Sequence, residues 1–149
     1  FGGREMLLSY PLDPMAYTRA ELAEVAGLAR AAIPAEDIAF VSEFEDWITL
    51  GDYLFVHAGI RPGVAIEQQS SADLRWIRDP FLHHAESFGP VVVHGHTISD
   101  RIDLKHNRIG IDTGAYRSGR LTALALEGTE RWQVCAVEED GVIRVSSGD

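Results

Sequence analysis

The stretch of sequence that decides the fold is residues 91–97, Val-Val-Val-His-Gly-His-Thr. Consecutive β-branched residues are typical of a buried strand, and the glycine after them lets the backbone turn and approach a neighbour closely. Residues 53–59, Tyr-Leu-Phe-Val-His-Ala-Gly, repeat this design with a second apolar strand that ends in a histidine. Because ligands of open α/β sheets bind at the carboxyl ends of the strands, the histidines at these ends are candidate ligands.

The two strand ends predict a metal site with two histidine ligands, because imidazole binds Zn, Mn or Fe when carboxylates and water complete the coordination. The candidates are His57 in the first stretch and His94 and His96 in the second. A single histidine at a strand end is more often a hydrogen-bonded structural group, so each stretch alone leaves both interpretations open. Neither stretch has a pair of carboxylates nearby in the sequence.

The rest of the chain predicts helices first and strands afterwards. Residues 4–50 have a helical pattern with breaks, among them Asp13-Pro14, which starts a helix, and Pro34, which separates two. From residue 46 the pattern changes to strands, and the first two form a hairpin that turns at Gly51-Asp52. This order favours an α/β fold, more narrowly α+β, with helices first and a mostly antiparallel sheet after them. The later predicted elements are a helix over 71–78 and strands over 90–93, 108–111, 120–126, 131–137 and 142–145.

Composition limits the classes of partner. The chain has 149 residues and a net charge of -10, from 13 Lys+Arg against 23 Asp+Glu. Such an acidic balance argues against nucleic-acid binding, which requires a basic face. No apolar run is long enough for a transmembrane helix and no signal peptide is recognisable, so no membrane partner and a cytoplasmic location are predicted. Cys135 and the three tryptophans, Trp47, Trp76 and Trp132, are predicted to pack in or at the edge of the core.

Residues 55–63 and 92–97 resemble the two C-terminal signatures of the calcineurin-like metallophosphoesterase superfamily, and more narrowly those of the bacterial serine/threonine protein phosphatase type. The resemblance extends in order over almost the whole chain. It implies the C-terminal half of a four-layer αββα sandwich, of which this chain supplies one sheet and part of its helical cover. The further matching stretches are residues 2–10, 74–81, 111–115 and 119–124.

The resemblance assigns the metal ligands. Two divalent metals in the intact enzyme, Mn first with Fe or Zn as alternatives, share a bridging hydroxide that attacks phosphorus in line. His57 and His96 correspond to ligands of the second metal, whereas His94 corresponds to a residue that orients a ligand or is structural. Asp112 is a candidate acceptor for the other N–H of a ligating histidine, or else a turn aspartate before Thr113.

The resemblance also assigns contacts to the substrate. Arg78 corresponds to the arginine that binds phosphoryl oxygens, for which a planar fork of donors is well suited. Without that resemblance, Arg78 reads as a solvated helix end that pairs with Asp79. Arg61 and Tyr116 flank the expected site and are candidate substrate contacts, although both residue types are common on surfaces.

Half of the family's motifs are absent. The sequence contains no Gly-Asp-x-His, no Asp-Arg-Gly and no Asn-His-Glu, which carry the ligands of the first metal and the general acid. The chain also starts at Phe1 without a methionine or a helix or strand start signal. Residues 1–149 are therefore interpreted as a single C-terminal portion of a metallophosphoesterase domain. Alone it is predicted to bind metal weakly or not at all, to be inactive, and to dimerise through a sheet exposed by truncation.

Three functions follow from these features. The first is hydrolysis of phosphoserine or phosphothreonine in proteins, or of another phosphoester, by a serine/threonine protein phosphatase. The second is hydrolysis of dinucleoside polyphosphates with the same metal chemistry. The third belongs to another class, a non-catalytic binding module derived from a phosphatase.

Overall fold

The computed structural model describes residues 2–148, so Phe1, where the predicted mid-domain start lies, falls outside the described residues. The chain divides into two compact units, one that ends at Phe44 and one that begins at Glu45. The interpretation of residues 1–149 as a single C-terminal portion of a larger domain stays a prediction. The described part of the first unit consists of helices α1 (Gly3–Ser9), α2 (Pro14–Arg19), α3 (Leu22–Ala32) and α4 (Ala35–Ser42).

Local sequence signals place the helix starts in the first unit. The Asp13 carboxylate accepts a hydrogen bond from the Met15 N–H at 2.9 Å, and this cap begins α2 where predicted. Glu21 and Glu24 form a reciprocal capping box at the start of α3. Pro34, which lacks an N–H, is the N-cap of α4 and ends α3, as predicted. That these helices cover a sheet stays a prediction.

The second unit contains a five-stranded mixed sheet in the order β1-β2-β3-β5-β4. The predicted hairpin is confirmed, because β1 and β2 pair antiparallel across Gly51-Asp52. The centre of the sheet is parallel, with β2 beside β3 and β3 beside β5. The strands are β1 (Trp47–Leu50), β2 (Tyr53–Val56), β3 (Val91–His94), β4 (Asp103–Leu104) and β5 (Arg108–Gly110).

A separate three-stranded antiparallel sheet follows: β6 (Arg120–Glu127), β7 (Glu130–Glu139) and β8 (Val142–Gly148). The α+β class and the antiparallel tail are confirmed, but the described strands form two sheets where one was expected. Between the two sheets lies the helical turn α6 (Ala115–Ser118), which begins after the loop that follows β5. A buried hydrogen bond of 2.8 Å between Thr113 Oγ1 and Thr122 Oγ1 joins this segment to β6.

The core of the second unit lies between the mixed sheet and helix α5 (Ser71–Trp76). The predicted helix begins at Ser71, and the Ser70 hydroxyl caps it by accepting from the Asp73 N–H at 3.1 Å. The helix ends two residues earlier than expected, because Ile77 adopts an extended backbone and places its side chain in the core. A short 3-10 helix, Ile66–Gln68, precedes α5. The buried apolar cluster consists of Leu54, Val56, Ala58, Ile60, Leu74, Ile77, Phe81 and Val92.

Apolar side chains are also exposed on the three-stranded sheet. Leu121 on β6 and Ile143 and Val145 on β8 are each more than three-fifths exposed. Exposed apolar strands at the edges of a sheet favour association between chains. The expected dimer itself stays a prediction. None of the helices found between residues 2 and 148 combines the length and the apolar character needed to cross a membrane.

Candidate functional site

His57 and His96 lie side by side at the carboxyl ends of β2 and β3. These strands are parallel neighbours with Phe55 opposite Val93. The pairing continues past the strand ends, since the Gly95 N–H donates to the His57 carbonyl oxygen at 2.9 Å. The centroids of the two imidazole rings are 5.3 Å apart. The structure thus brings together the two histidines that the sequence proposed as metal ligands, and ligation itself stays a prediction.

The backbone of His96 has an unusual conformation. Its φ angle is +63°, in the left-handed region that non-glycine residues seldom adopt. The Thr97 N–H donates to the Gly95 carbonyl oxygen at 2.7 Å, which closes a tight three-residue turn with His96 at its centre. Such backbone strain concentrates at binding and catalytic sites, where the surrounding structure holds it in place.

Arg78 and Trp76 also contact His96. Arg78 is exposed, and its Nη2 is 3.5 Å from the His96 carbonyl oxygen. The expected pairing of Arg78 with Asp79 is not what the structure shows, because the Asp79 carboxylate contacts the His83 ring. Trp76 is 62% exposed and meets the His96 ring edge to face, with centroids 5.5 Å apart. The prediction that Trp76 packs in or beside the core is therefore wrong.

The surroundings of His96 favour the neutral imidazole. Burial lowers the pKa of His96, and the positive charge of Arg78 and the proximity of His57 lower it further. Asp112 and a hydrogen bond with the backbone of Trp76 oppose this in part, but the net pKa is lowered. Neutral imidazole is the form that binds metals, so His96 is ready to act as a ligand at neutral pH.

His94 belongs to a different environment, inside the core. It is only 2% exposed, and the Phe81 ring meets it edge to face with centroids 4.9 Å apart. Burial lowers its pKa. Its Nδ1 is 3.1 Å from the Gly95 carbonyl oxygen and its Nε2 is 3.4 Å from Arg108 Nη1. His94 therefore has the surroundings of a supporting residue, as the sequence suggested.

Arg108 and its ion-pair partner Asp103 did not emerge from the sequence. Arg108 Nη1 is 2.6 Å from Asp103 Oδ2, although the Arg108 side chain is almost fully buried. An arginine at the start of a strand ordinarily suggests an exposed position. The sequence signal that was available is Gly110, because glycine inside a strand is typical of a close approach by another group. A Cβ at Gly110 would lie 3.2 Å from the His94 ring.

Asp112 shapes the loop behind the two histidines. Its Oδ1 accepts a hydrogen bond from the Gly114 N–H at 2.9 Å, and its carbonyl oxygen accepts one from the Ser99 N–H at 3.0 Å. This is the turn role that the sequence offered as one of two interpretations. Its charge raises the pKa of His96 against the larger lowering effects, so the carboxylate lies close enough to act on that ring.

Arg61 and Tyr116 differ in how firmly they are held. Arg61 makes a two-point ion pair with Asp73, with Nε–Oδ2 and Nη2–Oδ1 distances of 2.9 and 2.7 Å. The Gln69 side chain also bridges the backbone of Arg61, so this arginine anchors the loop that follows His57. Tyr116 lies on α6 and is 84% exposed. Contact of either residue with substrate stays a prediction.

The described residues fit one part of a metal site. Two imidazoles on adjacent strand ends suit two positions around a divalent ion. However, residues 2–148 contain no cluster of three or more His, Cys, Asp or Glu side chains that could hold a metal. The Thr97 hydroxyl beside them is buried, and within the described part of the chain it has no hydrogen-bond partner. Buried hydroxyls are rarely left unpaired, so this turn is suited to receive a further group.

Comparison with known proteins agrees with this fold. One solved structure matches with a TM-score of 0.53, and it is described as that of "a putative diadenosine tetraphosphatase". The two chains are 19% identical, and the match covers 97% of this chain and 65% of the other. This chain thus spans about two thirds of the length of the solved chain that it matches. No family model and no curated protein matches the sequence.

The α+β class is confirmed, and the fold resembles that of the matched structure. At this level of identity the likeness concerns the fold alone. It bears on the architecture that sets His57 and His96 side by side, because that arrangement arises from two parallel strands of the mixed sheet. The chemistry at the strand ends is a separate question.

Proposed function

We propose that this chain supplies part of the active site of a metal-dependent phosphoester hydrolase. The observation that carries the proposal is the pair His57 and His96, whose ring centroids are 5.3 Å apart at the ends of two parallel strands. Arg78 contacts the same turn, through the His96 carbonyl oxygen at 3.5 Å. Two imidazoles for a metal beside a guanidinium for an anion form a combination that suits phosphoryl chemistry.

Each residue has a distinct part in this proposal. His57 and His96 hold one divalent ion, for which the family resemblance favours Mn over Fe or Zn. A bound divalent ion in such a site stabilises the negative charge that develops on phosphoryl oxygens. Arg78 binds those oxygens with its fork of N–H donors, and its exposed position leaves the guanidinium accessible to a ligand.

The remaining ligands come from groups outside residues 2–148. Two imidazoles without a carboxylate hold a divalent metal weakly, and two-metal catalysis needs a second ion that these residues do not bind. The chain by itself is therefore proposed to be inactive or nearly so. A non-catalytic module would use the same anion site without turnover.

A phosphorylated serine or threonine in a protein is the first candidate substrate, as the family resemblance implies. A dinucleoside polyphosphate is the second, and two observations favour it. The solved structure that matches is described as that of "a putative diadenosine tetraphosphatase". Trp76 is also largely exposed beside His96 and Arg78, and an exposed indole is suited to stack on a nucleobase.

Binding of inorganic phosphate in the presence and absence of Mn²⁺ tests the proposal, with phosphorus NMR as the measurement. We expect phosphate to bind when Mn²⁺ is present, and we expect both His57→Ala and His96→Ala to abolish the effect of the metal. The matched control is His106→Ala, at an exposed histidine on the loop before β5. Phosphate binding that is indifferent to Mn²⁺ and to both histidines would contradict the proposal.

Turnover of p-nitrophenyl phosphate by the same samples tests the claim that the site is incomplete. We expect no rate above that of the buffer with Mn²⁺. A clear metal-dependent rate that His96→Ala abolishes would support the hydrolase and overturn the incompleteness. Mn²⁺-dependent phosphate binding without turnover is the result that the proposal predicts for this chain.

A further inference from the structure

A series of polar contacts, Asp103–Arg108–His94, runs from the edge strand β4 to the turn that contains His96. Asp103 on β4 pairs with Arg108 on β5, and the Arg108 guanidinium reaches His94 on β3. Arg108 Nη2 also donates to the Leu82 carbonyl oxygen at 3.2 Å, which leaves the guanidinium held on two sides. Nη1 and Nη2 of Arg108 thus have partners, whereas its buried Nε has none among residues 2–148. Because burial of an incompletely paired arginine costs free energy, the position of Arg108 indicates a specific role.

The contact with Arg108 selects one tautomer of His94. A guanidinium has donors only and stays protonated, so the His94 Nε2 that faces it at 3.4 Å must be the unprotonated acceptor. The hydrogen of a neutral His94 ring then sits on Nδ1. That N–H donates to the Gly95 carbonyl oxygen at 3.1 Å.

The same Gly95 carbonyl oxygen closes the turn around His96. It accepts the Thr97 N–H at 2.7 Å, and the φ angle of His96 inside this turn is +63°. The Gly95 carbonyl oxygen thus accepts two hydrogen bonds, one from the Thr97 N–H in the strained turn and one from the His94 Nδ1–H. Orientation of the Gly95 carbonyl is therefore fixed from inside the core.

We infer that Asp103, Arg108 and His94 are positioning residues that hold the Gly95–Thr97 turn closed and so aim the His96 ring at His57. The inference explains why a buried arginine, paired with the partly exposed Asp103, lies next to the buried His94. It also explains Gly110 on β5, where a side chain would press on the His94 ring. The functional importance of the His96 ring orientation rests on the proposed function, whereas the closure of the Gly95–Thr97 turn by these residues does not.

Substitutions at His94 test the inference most sharply. Asparagine and leucine have the same branching and the same number of side-chain heavy atoms, but only asparagine carries an N–H near the position of imidazole Nδ1. We expect His94→Asn to keep the turn closed and His94→Leu to open it. Hydrogen exchange of the Thr97 amide measures the turn, and we expect up to roughly tenfold faster exchange in the leucine variant, the effect of losing one hydrogen bond.

A second variant keeps the test valid if the core does not tolerate a change at His94. Asp103 is partly exposed, and Asp103→Asn removes the negative charge that pairs with Arg108. We expect this variant also to speed exchange of the Thr97 amide, but by a smaller factor than His94→Leu. Slow exchange on strands β6 and β7, in the other sheet, reports that each variant remains folded. Nitrogen NMR of the wild-type His94 ring should show the proton on Nδ1.

The readouts separate this inference from the proposed function. A proton on Nε2 of His94, or equal Thr97 exchange in the asparagine and leucine variants, would overturn the inference even if metal binds. If wild-type chain binds no Mn²⁺ while the tautomer and exchange results hold, the proposed function fails and the positioning inference stands. If both stand, His94→Leu should weaken Mn²⁺ binding by about tenfold, with His94→Asn close to wild type.

Discussion

The Gly95 N–H donates to the His57 carbonyl oxygen at 2.9 Å, so the hydrogen bonding between β2 and β3 continues one step past the ends of both strands. This contact fixes the separation of the two peptide segments that carry His57 and His96. The distance between the two ring centroids, 5.3 Å, therefore follows from the pairing of β2 with β3. Preorganised donors of this kind lose less entropy when an ion binds.

Loss of the guanidinium should weaken anion binding without unfolding the protein. Arg78→Ala removes an exposed side chain whose 3.5 Å contact with the His96 carbonyl oxygen is long, so we expect little change in the melting temperature. Hydrogen bonds to charged groups contribute about 1.5–3 kcal/mol, so phosphate binding with Mn²⁺ should weaken by roughly tenfold or more. Arg78→Lys should restore only part of it, because an ammonium lacks the planar fork. Equal binding by all three proteins would remove Arg78 from the site.

Trp76 distinguishes the two candidate substrates. Stacking of a base on an aromatic ring contributes about 1–3 kcal/mol. For a site that takes dinucleoside polyphosphates, Trp76→Leu should weaken binding of diadenosine tetraphosphate by roughly five- to hundredfold, and Trp76→Phe should retain most of it. For a phosphoprotein site, both variants should bind a phosphopeptide and the dinucleotide as the wild type does. Titration calorimetry with Mn²⁺ present measures the binding of each of the two ligands to the wild type and to both variants.

The glycine that follows the His57-Ala58 pair should tolerate no side chain. A Cβ at Gly59 would lie 2.3 Å from Cδ1 of the fully buried Phe81, so Gly59→Ala must displace a core ring. We expect a loss of about 3 kcal/mol or more in the free energy of unfolding.

Gly63→Ala is the matched control for Gly59→Ala. Gly63 also has a positive φ angle, +77°, but nothing lies within 4 Å of its Cβ position. Only backbone strain remains there, and we expect a loss of about 1–2 kcal/mol. Urea titration of both variants measures the difference, and equal losses would contradict the close packing of Phe81 on Gly59.

Acid should release the loop that follows His57. The hydrogen bond from Arg61 lowers the pKa of Asp73 below its ordinary value of 3.8, and the hydrogen bond from Ser70 adds to this. A carboxyl whose pKa is lowered on folding stabilises the protein above its unfolded pKa, and this contribution disappears as the pH falls through the folded pKa. The coupling between Arg61 and Asp73 should thus be constant at neutral pH and decline below about pH 4.

A double-mutant cycle with Arg61→Gln and Asp73→Asn measures this coupling at several pH values. Urea unfolding of the four proteins gives the coupling free energy, which we expect to be small because both side chains are accessible to water. Coupling that grows as the pH falls below 4 would contradict the ion pair.

The strands and their histidines were predictable because the pattern is local. Alternating or continuous apolar residues in 53–56 and 91–93 require burial, and a strand end fixes where the next side chain goes. The helix starts at Asp13 and Ser70 were predictable for the same reason, since an N-cap acts on its own next residues.

The features that escaped prediction depend on contacts between distant segments. Arg108 reads as an exposed strand residue until Asp103, His94 and the Leu82 carbonyl oxygen are placed around it. Trp76 reads as a core residue, and its exposure follows from the phase of a short helix whose buried positions are Leu74 and, just past its end, Ile77. Gly110 indicates a close approach beside Arg108, but no nearby residue identifies the groups that pair with the arginine, and none marks Trp76 as exposed.

Paramagnetic broadening by Mn²⁺ of the histidine ring signals in NMR spectra tests the central claim most directly, because it detects even weak binding and assigns it to residues. The account predicts that the His57 and His96 signals broaden together at the lowest Mn²⁺ concentrations, while that of exposed His106 persists. It also predicts that His96→Ala protects the His57 signal. Broadening of His57 and His96 no earlier than His106, or of His57 unchanged by His96→Ala, would contradict a shared metal site.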